Sequence, residues 1–407
     1  MSKISALPKY IYLYFLCQSL NLTVTVISVT VAATVGLMIA PDQSWATLPY
    51  GMQFLFMLLA TYPASVLMEK KGRKVGFIVG ALGLIGSGMV GFSAVMTDSF
   101  LLLIIAHSLL GCFMACANYY RFAAVDNLIG KTKTRAVSLV IAGGLVAAVL
   151  GPFIASSFRD IGGFPLFALC YLALVMLAGV NLILIVFLPN EVEKKITKQE
   201  KEKRDLVDQH WLKNVSPLFL LAVVTAAFSY GIMNLIMVQS SLQMHHLGIH
   251  FDHSAMAIQW HVVAMFAPSF LSGYLISRLG HQKVIFIGLA FFLATFIINI
   301  VGTSYSSIVL SLIFLGVAWN FTYVSGSAYI AVILEGNKSA KKLQGIGDTG
   351  IALFAMLGAM TPALLMSTIG WAGTNFLSIG LILFCLVLLI LFIILHKRNA
   401  LNPVGAS

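Results

Sequence analysis

Apolar positions along the chain gather into twelve runs, at about 10–38, 47–68, 75–96, 100–124, 136–158, 164–188, 216–240, 254–276, 284–303, 306–334, 345–368 and 372–395. Each is long enough to cross a bilayer's hydrocarbon layer as an α-helix, which takes about 20 residues. One long polar segment, residues 189–215 (PNEVEKKITKQEKEKRDLVDQHWLKNV), separates six runs from six. The pattern predicts a six-helix bundle over 1–188, a cytoplasmic linker over 189–215 and a second bundle over 216–407. Within the linker, Glu191/Lys195 and Glu200/Arg204 have the i,i+4 spacing of a solvated helix or a docking surface.

Composition fixes the solvent. Of 407 residues, 59% are hydrophobic and 10% charged, whereas roughly a quarter of a soluble domain is charged. A soluble enzyme, a nucleic-acid-binding module and a disulfide scaffold are thereby excluded. The net charge of +11 comes from short basic clusters between runs, as in membrane topology signals. If the N-terminus, the even-numbered connections and the C-terminus share one side, that side holds all 25 Lys and Arg except Arg159 and Arg121. Both termini are therefore expected in the cytoplasm, with the protein in the inner membrane. The five cysteines all fall inside apolar runs, where packing explains them. The first run is too long for the core of a signal peptide.

The halves echo each other. Ser65-Val-Leu-Met-Glu69-Lys70-Lys-Gly72-Arg73-Lys74 aligns with Gly273-Tyr-Leu-Ile-Ser277-Arg278-Leu-Gly280-His281-Gln282. Gly72 then lies over Gly280 and Lys70 over Arg278, and Pro152 and Pro362 occupy matching fifth positions. Paired halves of this kind mark secondary transporters.

On these residues the chain resembles the major facilitator superfamily along nearly its whole length. The family's loop motif after helix two, G-x-x-x-D-R/K-x-G-R-R/K, has Ser65 and Glu69 as departures and Lys70, Gly72, Arg73 and Lys74 as matches. The helix-four motif appears as His107-Ser-Leu-Leu-Gly111, with His in place of Arg, and the helix-five antiporter motif survives as Gly151-Pro152. The resemblance implies an all-α membrane protein with 12 transmembrane helices in two pseudo-symmetric six-helix bundles, working by alternating access. It also implies a gating charge cluster of Glu69, Arg73 and Asp126 that holds the cytoplasmic side closed. Packing is the competing account of Gly151 and Pro152, and interfacial snorkelling that of the charges.

Within the spans few groups ionise, so those that do are candidates for function. His107, His261 and Asp348 are the proton-coupling candidates; interhelical hydrogen bonding and a helix-start role are the alternatives. The substrate cavity is expected among Asn21, Asn118, Tyr119, Arg121, Asn234, Trp260, Asn320 and Tyr323, a set suited to a moderately polar aromatic or hydroxylated solute. Helix one carries Gln18 and Asn21 but no acid, which disfavours a cationic cargo. His245, His246, His250, Asp252 and His253 lack the spacing of a closed metal site. Gly345-Ile-Gly347-Asp-Thr-Gly350 follows no strand and fails as a dinucleotide fingerprint. The expected function is proton-coupled secondary transport of a small organic solute, with export favoured by the helix-five motif. Uptake of an organic anion, a siderophore or a flavin-like vitamin is the alternative, and a non-transporting receptor on the same fold is another. The expected partners are a small molecule, protons and lipid, with no cofactor, metal or nucleic acid, in a monomeric protein that is not an enzyme.

Overall fold

The computed structural model describes residues 7–124, 128, 136, 139–140, 142–189, 215–335 and 340–401. Asp126 and nearly all of the linker lie outside the described residues. In chain order the main helices are α1 (Lys9–Ile39), α2 (Leu48–Lys71), α3 (Arg73–Met96), α4 (Phe100–Ala117), α5 (Gly143–Phe158) and α6 (Ala168–Val186). There follow α7 (Pro217–His246), α8 (Phe251–Phe266), α9 (His281–Val301), α10 (Tyr305–Trp319), α11 (Ala340–Met360) and α12 (Gly370–Leu401). Each apolar run thus holds a helix. Among the described residues, 10 helices are long and apolar enough to cross a membrane, and a bent pair makes up to 11. α5 is shorter, at 16 residues.

Several runs are broken where the hydrophobic pattern predicts unbroken helices. α8 bends by 42° into a second segment, Ser269–Leu279. Pro268 stands at the break; its ring removes a backbone donor and crowds the preceding turn. Asn320 Nδ2 donates to the Met265 carbonyl (2.6 Å) and to Ser269 Oγ (2.8 Å), bracing this bend from the neighbouring helix. α10 passes through a π-helical segment, Asn320–Val324, into Ser325–Ile333. α11 stops before the short helix Pro362–Thr368, where proline is tolerated because the first N–H groups of a helix lack intrahelical partners.

The repeat extends to the backbone. Gly72 (φ 85°, ψ 153°) ends α2 and starts α3, and Gly280 (φ 81°, ψ 160°) does the same before α9. Both hold the left-handed region that glycine enters without a Cβ penalty. Ser99 and Ser304 cap α4 and α10 by accepting from Leu102 N and Ser307 N, offsetting orphaned N–H groups at equivalent helix starts.

Two large apolar cores result. One is built from α1 to α6 with the segments joining them. The other centres on α7 to α12 and also takes in Val26, Val29, Ala32, Tyr50, Phe54, Ala147 and Ala148 from α1, α2 and α5. The first and last six helices therefore meet across a packed seam. Small residues let that seam close: a Cβ on Gly51 would lie 1.8 Å from Met360 Cγ, and one on Gly144 would lie 2.6 Å from the Phe266 ring.

Candidate functional site

The end of the protein carrying the start of α1 is called the near end, and the other the far end. At the near end Lys74 Nζ donates to the carbonyls of Val186 (2.7 Å) and Leu188 (3.2 Å), tying the α2–α3 loop to the end of α6. Basic groups near a helix C-terminus satisfy its last carbonyls. Glu69 is exposed at the end of α2 and Arg73 is half-buried at the start of α3.

Between the two sets of helices, aromatic rings form a continuous group. Phe54 of α2 meets Tyr230 of α7 edge-on at 6.3 Å. Tyr230 in turn stands edge-on to Trp319 (5.9 Å) and Tyr323 (5.2 Å). Trp319 and Tyr323 stack at 4.7 Å with 17° between their planes. Phe266 closes the group against Trp319 at 6.3 Å. The π-helical segment begins at Asn320 and contains Tyr323. Its extra residue per turn lets two rings four positions apart lie nearly parallel, and such segments recur at functional sites.

Charge joins the rings on the near-end side. Arg121, in the single turn Tyr120–Ala123 after α4, lies close enough to Tyr230, Tyr323 and Asp348 for its charge to act on all three. Asp348 is exposed by surface area yet crowded by protein. Tyr230 and Tyr323 share that character, being partly accessible though deeply set. The indole N–H of Trp319, itself 6% exposed, has no hydrogen-bond partner among the described residues. This part of the interface thus brings together a π-rich wall, an anion-binding guanidinium and a carboxylate.

The far end is closed. Thr47 Oγ1 donates to the Met360 carbonyl (3.0 Å) and accepts from Ala363 N (3.2 Å), joining the start of α2 to the end of α11. On the opposite seam Arg159 pairs with Asp252 at 3.2 Å.

The family model described as Major Facilitator Superfamily matches residues 11–268 and 219–406. The chain belongs to the major facilitator superfamily. It is a multi-pass membrane transporter of a small-molecule substrate, not an enzyme. It is 31% identical to the riboflavin transporter RfnT of Brucella anthropi, over 100% of this chain and 99% of that protein. YdeG of Bacillus subtilis, an MFS-type transporter, is 28% identical over 91% of this chain and 87% of its own. In fold the chain resembles a D-xylose–proton symporter (TM-score 0.74, 14% identity, 93% and 97% covered). It also resembles a bacterial homologue of the human lysosomal transporter Spinster in an inward-facing, unoccupied conformation (TM-score 0.66, 13% identity, 95% and 96% covered).

Against this superfamily architecture, the residues singled out from the sequence fall into three groups. Arg121, Tyr323 and Asp348 come together beside the aromatic group. Asn234, Asn320, His107 and His261 hold helices to one another. Asn234 donates to the Ala355 carbonyl of α11 (3.0 Å). His107 has Gln53 Oε1 (3.3 Å) and Ser28 Oγ (3.5 Å) at Nδ1 and Tyr171 Oη (3.2 Å) at Nε2, all within the first six helices. His261 Nδ1 faces the Leu312 carbonyl (2.8 Å) in the second core. The superfamily's helix-five residue Gly151 packs on α1, where a Cβ would meet Val26 at 2.5 Å, and Pro152 is buried beside it.

The remaining candidates are scattered. Asn21 is buried, with a side-chain oxygen that has no hydrogen-bond partner among the described residues. Asn118 reaches Met57 Sδ (3.6 Å), and Tyr119 beside it is half-buried. Trp260 is 50% exposed, apart from the aromatic group. Sequence reasoning missed Tyr230, the ring that bridges the two sets of helices. It carries no ionisable signal in a run full of apolar residues, and only its tertiary neighbours mark it.

Proposed function

We propose that this transporter moves a planar aromatic solute with a polar, hydroxylated tail, of which riboflavin is the example, by proton-coupled alternating access. The observation that carries the reading is the ring group Tyr230–Trp319–Tyr323 beside Arg121 and Asp348. Aromatic rings bind a flat heterocycle by offset stacking or edge-to-face contact, and the indole N–H of Trp319 suits a ring carbonyl. The full-length likeness to a riboflavin transporter supports the same solute class.

Twelve spans in two bundles, 1–188 and 216–407 about the 189–215 linker, with both termini in the cytoplasm of an inner membrane, complete the architecture. The sealed far end and accessible near end then correspond to an inward-facing state of a monomer. Glu69, Arg73 and Asp126 form the gate that closes the near end in the opposite state. Asp348 is the proton carrier: it is exposed and lies under the influence of Arg121, while His107 and His261 are enclosed in helix packing. The helix-five motif favours export and a vitamin-like solute favours uptake; the sign of the driving gradient separates them.

The test is labelled riboflavin flux in proteoliposomes under an imposed pH gradient. Wild type should accumulate or extrude riboflavin, Tyr323→Ala should lose at least tenfold in flux, and Asp348→Asn should retain exchange but lose gradient-driven movement. Absence of riboflavin flux in wild-type proteoliposomes that bind and exchange another solute overturns the solute assignment.

A further inference from the structure

We propose that Arg159, Phe167, Phe251 and Asp252 form a far-end latch that holds the transporter closed on that side and sets how often it opens outward. It rests on the alternating-access reading and adds a gate that the superfamily's loop motif does not describe. Arg159 follows the last residue of α5, and Asp252 is the second residue of α8, so their 3.2 Å ion pair joins the first half of the chain to the second. The same guanidinium lies over the Phe251 ring, 5.5 Å from its centroid. Phe167 meets that ring edge-on at 4.9 Å. Phe251 is therefore clamped between a cation and an aromatic ring, both supplied by the other half.

The α5–α6 loop is built to present those two groups. Phe167 N donates to the Arg159 carbonyl at 2.7 Å, closing the loop on itself. To do so Phe167 adopts φ 69°, ψ −5°, a left-handed conformation that costs a bulky residue of order 1 kcal/mol or more. Its ring is nevertheless buried, so the strained backbone is held by the contact it makes. On the other side the start of α8 is anchored to its own half: Tyr305 Oη donates to the His253 carbonyl (3.0 Å), and the two rings meet at 5.4 Å. His250 Nδ1 reaches the second Asp252 oxygen at 3.2 Å. Behind Phe251 is a small space of about 40 Å³, lined by Thr30 and Thr34 of α1, Ser241 and His245 of α7, and Ser254 and Ile258 of α8. A space of this size admits water. It lies between the halves, and the latch residue Phe251 is part of its wall.

An ion pair present in one state only shifts the equilibrium by its differential free energy. Arg159 is largely covered and Asp252 half exposed. The expected shift is therefore roughly three- to fivefold, near the upper end for pairs at a surface. The experiment places a single cysteine at Thr34→Cys in full-length protein whose five native cysteines are replaced by alanine. A membrane-impermeant maleimide is then applied outside intact cells. Labelling should quicken by that factor in Arg159→Gln and at least as much in Asp252→Asn, which also frees His250. The swap Arg159→Asp/Asp252→Arg should return it to within about twofold of the parent. Phe251→Ala, which leaves the charges in place, should also quicken labelling. Parental rates in both single charge variants, or a swap that labels as fast as either, overturn the latch. Quickening that appears only with reagent at the cytoplasmic face supports the latch and overturns the orientation assigned to the far end.

Discussion

The two seams that close the far end are equivalent under the repeat, yet they are sealed by different chemistry. Where α2 meets α11, Gly51 brings backbone against Met360, and the fully buried Thr47 exchanges hydrogen bonds with Met360 and Ala363. Thr361, which precedes the short helix Pro362–Thr368, makes no side-chain cap of its own. Thr47 supplies it from the other half of the chain. Where α5 meets α8, the far-end rim is an accessible ion pair, and Gly144 meets the Phe266 side chain only at the opposite ends of the same two helices. A dry seam of backbone contacts tolerates little displacement because packed interfaces are bistable. A rim ion pair is adjustable and screened by salt. On these grounds the α2–α11 seam should carry the larger share of holding the far end closed, and the α5–α8 latch the smaller, adjustable share.

The largest effect should come from Gly51→Ala. The added Cβ would fall 2.8 Å from Met360 Cα, where backbone cannot rotate away. Overpacking of this kind costs about 1–3 kcal/mol. Since it falls only on the far-end-closed state, external labelling of Thr34→Cys should rise roughly 5–150-fold and substrate flux should fall in parallel. Unchanged labelling would mean that the seam parts without cost, and the assignment of roles would be wrong.

Thr47→Val comes next. It keeps the shape and removes the cross-half cap, leaving a buried N–H and a carbonyl without that partner. Loss of a cap costs about 0.5–2 kcal/mol, so the same assay should quicken by severalfold. Thr47→Ser, which restores the hydroxyl, should recover most of the difference. Failure of Ser to recover it would point to the methyl group rather than the hydrogen bonds.

Gly144→Ala sharpens the contrast, because its Cβ would meet a ring that can turn, at the end of α5 away from the far-end rim. Its effect should stay under about 1 kcal/mol, well below that of Gly51→Ala, given that surroundings able to relax reduce the cost of a substitution. An effect equal to that of Gly51→Ala would erase the distinction between the seams.

How much of this was legible in the sequence depends on the range of the signal. Helix placement was, because hydrophobicity over about twenty residues is a local property; the pairing of Gly72 with Gly280 was, because the loop motif repeats, though their positive φ emerged only from the backbone. Pro268 was visible, but its bend was not read, since a proline within an apolar run is common in membrane helices. The π-helical segment at Asn320–Val324 has no local sequence mark. Arg159 stood out only as the lone basic residue on its side. Its partner is 93 positions away, and nothing short of the fold brings them together. Arg121 and Asp348 were recognised as unusual charges in apolar surroundings, whereas Tyr230, which links them to Trp319, was hidden by its ordinariness.

The smallest effect is expected at the rim of the dry seam, from Asp42→Asn. Asp42 accepts hydrogen bonds from the Ser44 hydroxyl and N–H, shaping the turn Gln43–Trp45 that leads into Thr47. The Ser44 hydroxyl first, and its N–H second, hold the Asp42 carboxyl below its ordinary range. A carboxylate with a lowered pKa contributes fully above the unfolded value and loses that contribution as pH falls through the folded one. Between roughly pH 5 and 8, well above the carboxylate range, this group should add no pH dependence to seam closure. Wild type and Asp42→Asn should therefore give parallel labelling rates across that span, separated by a small constant factor. A difference that grows between roughly pH 8 and 5 would show that Asp42 is not the fully ionised cap that these hydrogen bonds describe. It would also give the dry seam the adjustability assigned here to the charged one.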